Sequence, residues 1–344
     1  MTTDVIAVMG SCAPERRQYA RRLARATVRQ LLPSSRLAMA PDPVGEAASL
    51  LPWVDNPAGA VVELPLAVDA THVIGTLADP EAGSRLSAVV CVVDTAHLLA
   101  DLRRDGWVTC RRGPLDDLET ERTSVALLTV AHIEYASTVV LAGWEAVETD
   151  ELSTVMALVS HLAPRARLRL EHDGLADPGQ DDGQPYDVRQ DRPGWVCVLN
   201  DDVGPHLTDP RVSAVRYEQV RPLHPGRLMA FLRRMETGAF GTVVRSAGFC
   251  RLATRAHVVA RWEHAGSTIG LEPLVADDSL AGGDELLAVG QDLAFLGLDL
   301  DRPALLRALD DTALTDTELA AGPWAWAMLD DPFPAWATAR DGAE

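Results

Sequence analysis

The stretch VMGSCAPERRQYARRLA, residues 8–24, decides how the chain is read. It passes from an apolar strand through a glycine and four small or turn-forming residues into a helix, the order in which a phosphate-binding loop begins. A working loop then sets a Gly, a Lys and a Ser or Thr side by side. Here Gly10 and Ser11 open the loop, and Glu15, Arg16 and Arg17 stand in those three places. Taken alone, the segment is a nucleotide loop, a damaged one, or an ordinary strand-to-helix turn.

Working outward, short β-branched runs at 4–9, 60–64, 88–93, 138–142 and 166–170 alternate with helical stretches at 14–32, 70–78, 95–104, 122–135 and 148–162. Apolar strands separated by helices predict a parallel α/β sheet covered on both faces. Residues 171–194 are rich in Asp, Gly, Gln and Pro and read as a solvated linker. Beyond them, strands expected at 212–220, 240–246, 249–254, 257–263 and 285–297, with helices at 225–236 and 302–310, predict an α+β domain. The expected organisation is an α/β domain over 1–172, an acidic linker over 173–211 and a smaller α+β domain over 212–344.

Composition narrows the function classes. No run approaches the ~18 apolar residues of a membrane span, and the N-terminus lacks the basic-then-apolar pattern of a signal peptide. Five scattered cysteines fit a reduced, cytoplasmic protein better than a disulfide scaffold. A formal net charge of −19 disfavours anionic membranes and non-specific nucleic-acid binding, while leaving room for a local basic patch. No lysine occurs anywhere in the 344 residues, so any mechanism that needs one is excluded.

The order of segments resembles the CobW family of P-loop GTPases and metallochaperones. VMGSCAPERR stands where that family has its phosphate loop, and VVELPLAVDA (61–70) where it has a glutamate-bearing strand and turn. VVCVVDT (89–95) is similar to its third conserved strand, and HIEYASTVVLAGWE (132–145) to the segment carrying its guanine-reading Asn-Lys-x-Asp. RYEQVRPLHPGRL (216–228), TVVRSAGFCRLATR (242–255) and QDLAFLGLDLDRPALLRALDDTALTDTEL (291–319) resemble stretches of its C-terminal domain. The resemblance implies a P-loop NTPase-like parallel sheet, in degenerate form, followed by a CobW C-terminal domain.

The departures carry as much information. In a working loop, backbone amides wrap the phosphates, a lysine bridges them and a hydroxyl holds magnesium. Here Glu15 sets an anion in the glycine slot. Arg16 replaces the lysine with a planar fork, and Arg17 replaces the hydroxyl. The guanine reader becomes Ala142, Gly143, Trp144 and Glu145, with only the acid kept. Glu63 and Asp94 alone stand where the family keeps carboxylates near magnesium. The Cys-x-Cys-Cys motif of the metallochaperone branch is absent from residues 36–59, and no two cysteines lie closer than nineteen positions. The expectation is a relic phosphate loop, formed by Gly10, Ser11, Glu15, Arg16, Arg17, Glu63, Asp94 and Glu145. It hydrolyses no GTP, holds no metal in the N-terminal domain and needs no cofactor. GTP with magnesium enters only under the alternative of a divergent GTP-binding metallochaperone.

Other features have a functional and an ordinary reading. The helix from Pro14 carries Arg16, Arg17, Arg21, Arg22, Arg25 and Arg29; Tyr19, Leu23, Ala26 and Leu31 form a candidate buried stripe. Its arginines either meet RNA phosphates or an acidic partner, or form a solvated face. His224, before Pro225, sits at a helix N-cap. His257 and His264 fall on opposite faces of a strand and do not share a metal. Cys110 is either a thiol whose pKa is lowered by its two neighbouring arginines or, as the favoured reading, an ordinary loop thiol. Trp324, Trp326, Phe333 and Trp336 either strap down the tail or dock a partner. The resemblance extends to an actinobacterial branch of the family, one mycobacterial member of which recruits a ribosome hibernation factor during zinc starvation. It implies a pseudo-GTPase whose partner is a protein, the ribosome or a hibernation factor among them, with no sequence-specific nucleic acid and no membrane.

Overall fold

A computed structural model describes residues 2–113, 118–172, 186–187, 190–202, 204–276 and 290–336. Most of the Asp-, Gly- and Pro-rich stretch at 171–194, and the start of the strand expected at 285–297, lie outside these residues. The chain divides into two compact units, Met1–Cys197 with Val203–Asp209, and Val198–Asp202 with Pro210–Glu344.

The first unit is built on β1 (Thr3–Met9), α1 (Ala13–Ala26), β2 (Gln30–Leu32), α2 (Ser34–Leu37), α3 (Pro43–Leu50), β3 (Ala60–Glu63), α4 (Ala70–Leu77) and β4 (Ser84–Asp94). It continues through α5 (Leu98–Asp101), β5 (Trp107–Arg112), β6 (Glu119–Ser124), α6 (Val125–Glu134), β7 (Thr138–Ala142), α7 (Thr149–Leu162) and β8 (Arg167–Leu170). A helix, α8 (Gly194–Leu199), forms inside the stretch expected as linker.

Six strands pair in the order β2-β3-β1-β4-β7-β8, every pairing parallel. The central strands are apolar runs buried on both faces, as parallel sheets require. Alternation sorts them. Ile6, Val8, Val61, Val90 and Val140 pack with Tyr19, Ala20 and Leu23 of α1 on one face. Val5, Ala7, Met9, Val62 and Val89 meet Leu37, Val44, Val73 and Ile74 on the other. Asp42, Asp69 and Ser124 cap α3, α4 and α6 with side-chain oxygens.

The helix expected over 14–32 ends at Ala26 instead. Val28 takes a left-handed φ of 55°, which breaks the helix and lets Gln30–Leu32 join the sheet. The β5–β6 hairpin stands apart from the main sheet and carries almost no apolar pattern.

The second unit contains β9 (Val212–Gln219), α9 (Pro225–Glu236), β10 (Thr242–Cys250), β11 (Val258–Ala265), β12 (Thr268–Ala276), β13 (Gln291–Leu298), α10 (Arg302–Asp310) and α11 (Asp316–Trp326). Its sheet is antiparallel throughout, in the order β12-β11-β10-β13-β9. The two strands expected at 240–246 and 249–254 are one, β10. The fold is thus an α/β parallel-sheet unit followed by an α+β unit.

Trp262, Phe231, Phe240 and Phe295 fill the second core, and Trp262 donates from Nε1 to Ser246 Oγ at 2.8 Å. His264 lies two residues along β11 from Trp262 and so shares its face; it is buried, whereas His257 is exposed. Burial, with Arg245 beside it, pushes the His264 imidazole down to about 4, below the 6.5 of a free histidine. Between these values the unfolded chain binds a proton that the folded chain refuses, so stability rises with pH there. Urea titrations from pH 4 to 7 should show stability falling as the solution is acidified through this window. His264→Gln should flatten that part of the profile.

Candidate functional site

The expected site residues lie at the carboxyl ends of the central strands, the edge where open parallel sheets place their ligands. Gly10 follows β1 with a φ of 140°, and a Cβ there would lie 2.1 Å from the carbonyl oxygen of Val92 on β4. Only glycine fits this contact.

The loop that follows is short. α1 begins at Ala13, and the Arg16 amide already donates to the Cys12 carbonyl at 3.0 Å as a helical bond. Pro14 has no amide to offer. Gly10, Ser11 and Cys12 are therefore all that separates strand from helix. Ser11 donates to Asp101 Oδ2 at 2.8 Å, and the Cys12 thiol donates to the Val92 carbonyl at 3.2 Å. Burial pushes that thiol up to about 12.

Arg16 turns inward. It is 3% exposed, donates from Nη1 to the Gly10 carbonyl and holds Nε 3.6 Å from Glu63 Oε1. Glu63, fully buried at the end of β3, also accepts from the Ser34 hydroxyl at 2.8 Å and the Ser34 amide at 3.2 Å. Burial pulls the Arg16 guanidinium below its ordinary range, and Glu63 opposes that shift. A guanidinium stays charged in proteins, so the pair is a buried salt bridge in the space between the loop and β3.

Asp94 ends β4 and accepts from His97 Nδ1 at 2.7 Å and from the Ala96 amide at 3.1 Å. Asp94 raises the pKa of the exposed His97. Glu15 is half-buried, while Arg17 and Glu145 are exposed. Trp144 donates to the Glu171 carbonyl at 3.1 Å and meets the His172 ring edge-on at 5.5 Å. Arg22 closes the same corner, 3.0 Å from Glu171 Oε1. The structure thus gathers Gly10, Arg16 and Glu63 around one point and leaves Arg17 and Glu145 in solvent. Ser34, His97 and Asp101 join this edge without any sequence motif; only the i,i+3 spacing of Asp94 and His97 hinted at one of them.

The basic face of α1 is smaller than its sequence implied. Arg29 lies beyond the helix and pairs with Asp4 at 2.6 Å, and Arg22 pairs with Glu171. Arg17, Arg21 and Arg25 remain exposed. Cys110 lies in β5 rather than a loop, and its arginines do not activate it: burial raises its thiol pKa against the influence of Arg112.

In the second unit, His224 caps α9, with Nδ1 accepting from the Gly226 and Arg227 amides. Arg227 grips Glu318 with two bonds of 2.8 Å. The aromatic tail divides. Phe333 and Trp336 pack on the core, Trp336 donates to the Leu271 carbonyl at 2.9 Å, and Arg255 lies over its ring. Trp326 donates to the Glu318 carbonyl at 2.6 Å, while Trp324 is 92% exposed.

Among the described residues, no three His, Cys, Asp or Glu side chains come together so as to hold a metal. No helix among them is long and apolar enough to cross a membrane. The loop does not fit a nucleoside triphosphate: it is only three residues long, Pro14 offers no amide, and its cation is spent on Glu63.

Residues 212–313 match the model of the cobalamin synthesis protein cobW C-terminal domain. The chain is 24% identical over 304 residues to the zinc-regulated GTPase metalloprotein activator 1 of Dictyostelium discoideum, covering 78% of this chain and 61% of that protein. It is 29% identical over 275 residues to a zinc chaperone of Mycobacterium tuberculosis, covering 73% of this chain and 62% of that one. It thus spans about three fifths of the length of the curated relatives it matches. The crystal structure of the Zn(II)-bound YjiA GTPase of E. coli is 11% identical, with 91% of this chain and 100% of that chain covered and a TM-score of 0.35. The sequence likenesses support kinship with CobW-type P-loop GTPases. They overturn the expectation that no cofactor is involved, because the relatives are named for GTP hydrolysis and for zinc.

The buried pair has an energetic consequence. Arg16→Ala leaves Glu63 charged and buried, and the expected cost is about 3–5 kcal/mol. Replacing both partners, as Arg16→Met with Glu63→Leu, should recover most of that loss. Urea unfolding of the single and double variants measures the difference.

Proposed function

We propose that this chain is a metallochaperone of the CobW kind, with zinc as its cargo and GTP as the nucleotide its fold derives from. The match of residues 212–313 to the cobW C-terminal domain carries this reading. Relatives named as a zinc chaperone and a zinc-regulated GTPase activator support it. No preformed zinc cage exists among the described residues, so the cargo is held at ligands shared with a client protein. Arg16 and Glu63 act as a latch across the relic loop: opening it is the condition for any phosphate to approach.

A second reading is favoured by the loop itself. With α1 starting at Ala13 and Arg16 buried on Glu63, the unit suits a pseudo-GTPase that works by binding a partner, a ribosome hibernation factor being the partner the resemblance implies. The exposed Arg17, Arg21 and Arg25 face and the exposed Trp324 are the surfaces this reading uses.

Calorimetry on the full chain separates the two. The first reading expects zinc uptake that a client apoprotein increases, and GTP–magnesium binding that strengthens when Glu63→Gln frees Arg16 from the latch. Absence of zinc uptake with every client and nucleotide combination overturns it. The second expects no GTP binding by either form, together with co-sedimentation of tagged protein with ribosomes from zinc-starved lysate. Protein found only at the top of the gradient at low and moderate salt, with no hibernation factor attached, removes its support.

A further inference from the structure

The second unit displays an apolar segment that its own core does not use. From Leu319 to Leu329 the sequence LAAGPWAWAML holds no charge. Trp324 is 92% exposed and Met328 85%, and Leu319, Pro323, Ala325 and Ala327 are exposed with them. Tryptophan is on average a highly buried residue, and contiguous exposed apolar surface rimmed by polar residues marks interaction sites.

The segment is fixed at both ends and bare between them. Before it, Thr315 and Glu318 form a capping box on α11, and Arg227 of α9 grips Glu318. Trp326 turns back and donates to the Glu318 carbonyl. After it, Asp331 accepts from Thr254 and from Arg255 Nη2, the latter at 2.8 Å, and Phe333 and Trp336 pack on the core. Between the two clamps, Gly322 bends the helix at a φ of 80°, with open space where a Cβ would point, and Pro323 starts a new turn. The Ala327 amide closes that turn on the Pro323 carbonyl at 3.0 Å. Trp324 and Met328, four positions apart, stand about one helical turn from each other. Side chains placed before binding lose less entropy on association.

Charge identifies the kind of surface that fits. The ionised residues bordering the segment are all acids, Asp316 and Glu318 before it and Asp330 and Asp331 after it, and no arginine occurs between Arg307 and Arg340. Arg221, Arg227 and Arg255 reach in from elsewhere in the unit and are spent on Asp316, Glu318 and Asp331. Asp330, exposed two positions from Met328, makes no such pair among the described residues. With the chain at −19, a second copy or an anionic lipid surface meets repulsion, and a basic surface is attracted.

We propose that the turn carrying Trp324 and Met328 is a docking anchor for a protein partner, which receives both side chains in an apolar cleft rimmed by arginine or lysine. The proposal rests on the partner-binding reading above only in requiring a protein partner. It needs neither the ribosome nor the arginine face of α1, so failure of co-sedimentation leaves it standing.

The test uses the full chain with Ala327→p-benzoylphenylalanine, a photo-crosslinker beside both anchors, inside the cells that make the protein. The expected result is one dominant cross-linked protein, attached through an apolar cleft with Arg or Lys at its rim. That protein is then purified and titrated against the full chain. Trp324→Ala should weaken the affinity about thirtyfold or more, and Met328→Ala about fivefold. Asp330→Asn should slow association at low salt and leave dissociation unchanged. None of the three should move the urea midpoint of the free protein, because each side chain is exposed. Cross-links only to a second copy, to lipid or to nothing would overturn the proposal. So would a captured protein whose affinity Trp324→Ala leaves within about twofold, or whose contact surface is acidic.

Discussion

Arg16 carries a permanent charge into the interior at the carboxyl edge of a parallel sheet, and the chain around it is arranged to tolerate that charge. The carboxylate that meets it comes from Glu63, the last residue of β3. Glu63 is itself held by the hydroxyl and amide of Ser34, so the start of α2 is tied to the end of β3. The remaining guanidinium contact returns to Gly10, whose positive φ permits β1 to pass against Val92. One ion pair thus fixes where α1 begins, where β3 ends and how the turn between β1 and α1 closes. A buried pair of this kind is weak support for stability in itself, but strongly destabilising to break.

Which elements can be read from sequence follows from what each one buries. β1, β3, β7, α9 and α10 are legible because their apolar runs or helical periods meet a core on the face that the pattern marks, and because Asp301 and His224 cap the helices they precede. The β5–β6 hairpin is not. Its strands WVTCRR and ETERTS bury little and hold each other by backbone pairing and by exposed cross-strand contacts of Arg112 with Glu119 and of Arg122 with Trp107. β12, with Gly270 and Pro273 inside it, carries breaker residues that hide an edge strand. α11 is bent at Gly322 and Pro323, so no clean period marks it. In the site, Glu63 and Asp94 are legible as carboxylates ending apolar strands. Ser34 and Asp101 are not, because their partners lie 29 and 90 residues away in sequence and only the sheet brings them together.

Counting arginines overstates the basic face of α1 for a related reason. Sequence shows six cations in one segment but not the acids that the fold delivers to them. Glu63, Glu171 and Asp4 arrive from other strands or their ends and neutralise three of the six. In an acidic chain that outcome is the expected one: with many carboxylates available, a half-buried guanidinium finds a partner, and only those pointing fully outward stay in solvent. Trp144 illustrates the same constraint in apolar form. It is engaged by the chain just beyond β8, its indole donating to Glu171 and its ring against His172.

The names of the relatives and the geometry of the loop pull in different directions, and the difference has a physical form. Relatives named for GTP and zinc are 24% and 29% identical to this chain over most of its length. In this chain, the cation that would face a phosphate is satisfied by an internal carboxylate. A phosphate would have to compete with Glu63, which is pre-positioned, desolvated and held by two further bonds from Ser34. An exposed anion also loses hydration on entry, whereas Glu63 has already done so during folding. The intramolecular ligand therefore holds the advantage unless something moves β3 relative to α1. Polar groups already satisfied from within leave little for a ligand to gain. By that criterion, the turn between β1 and α1 offers an anion little as long as Arg16 stays on Glu63.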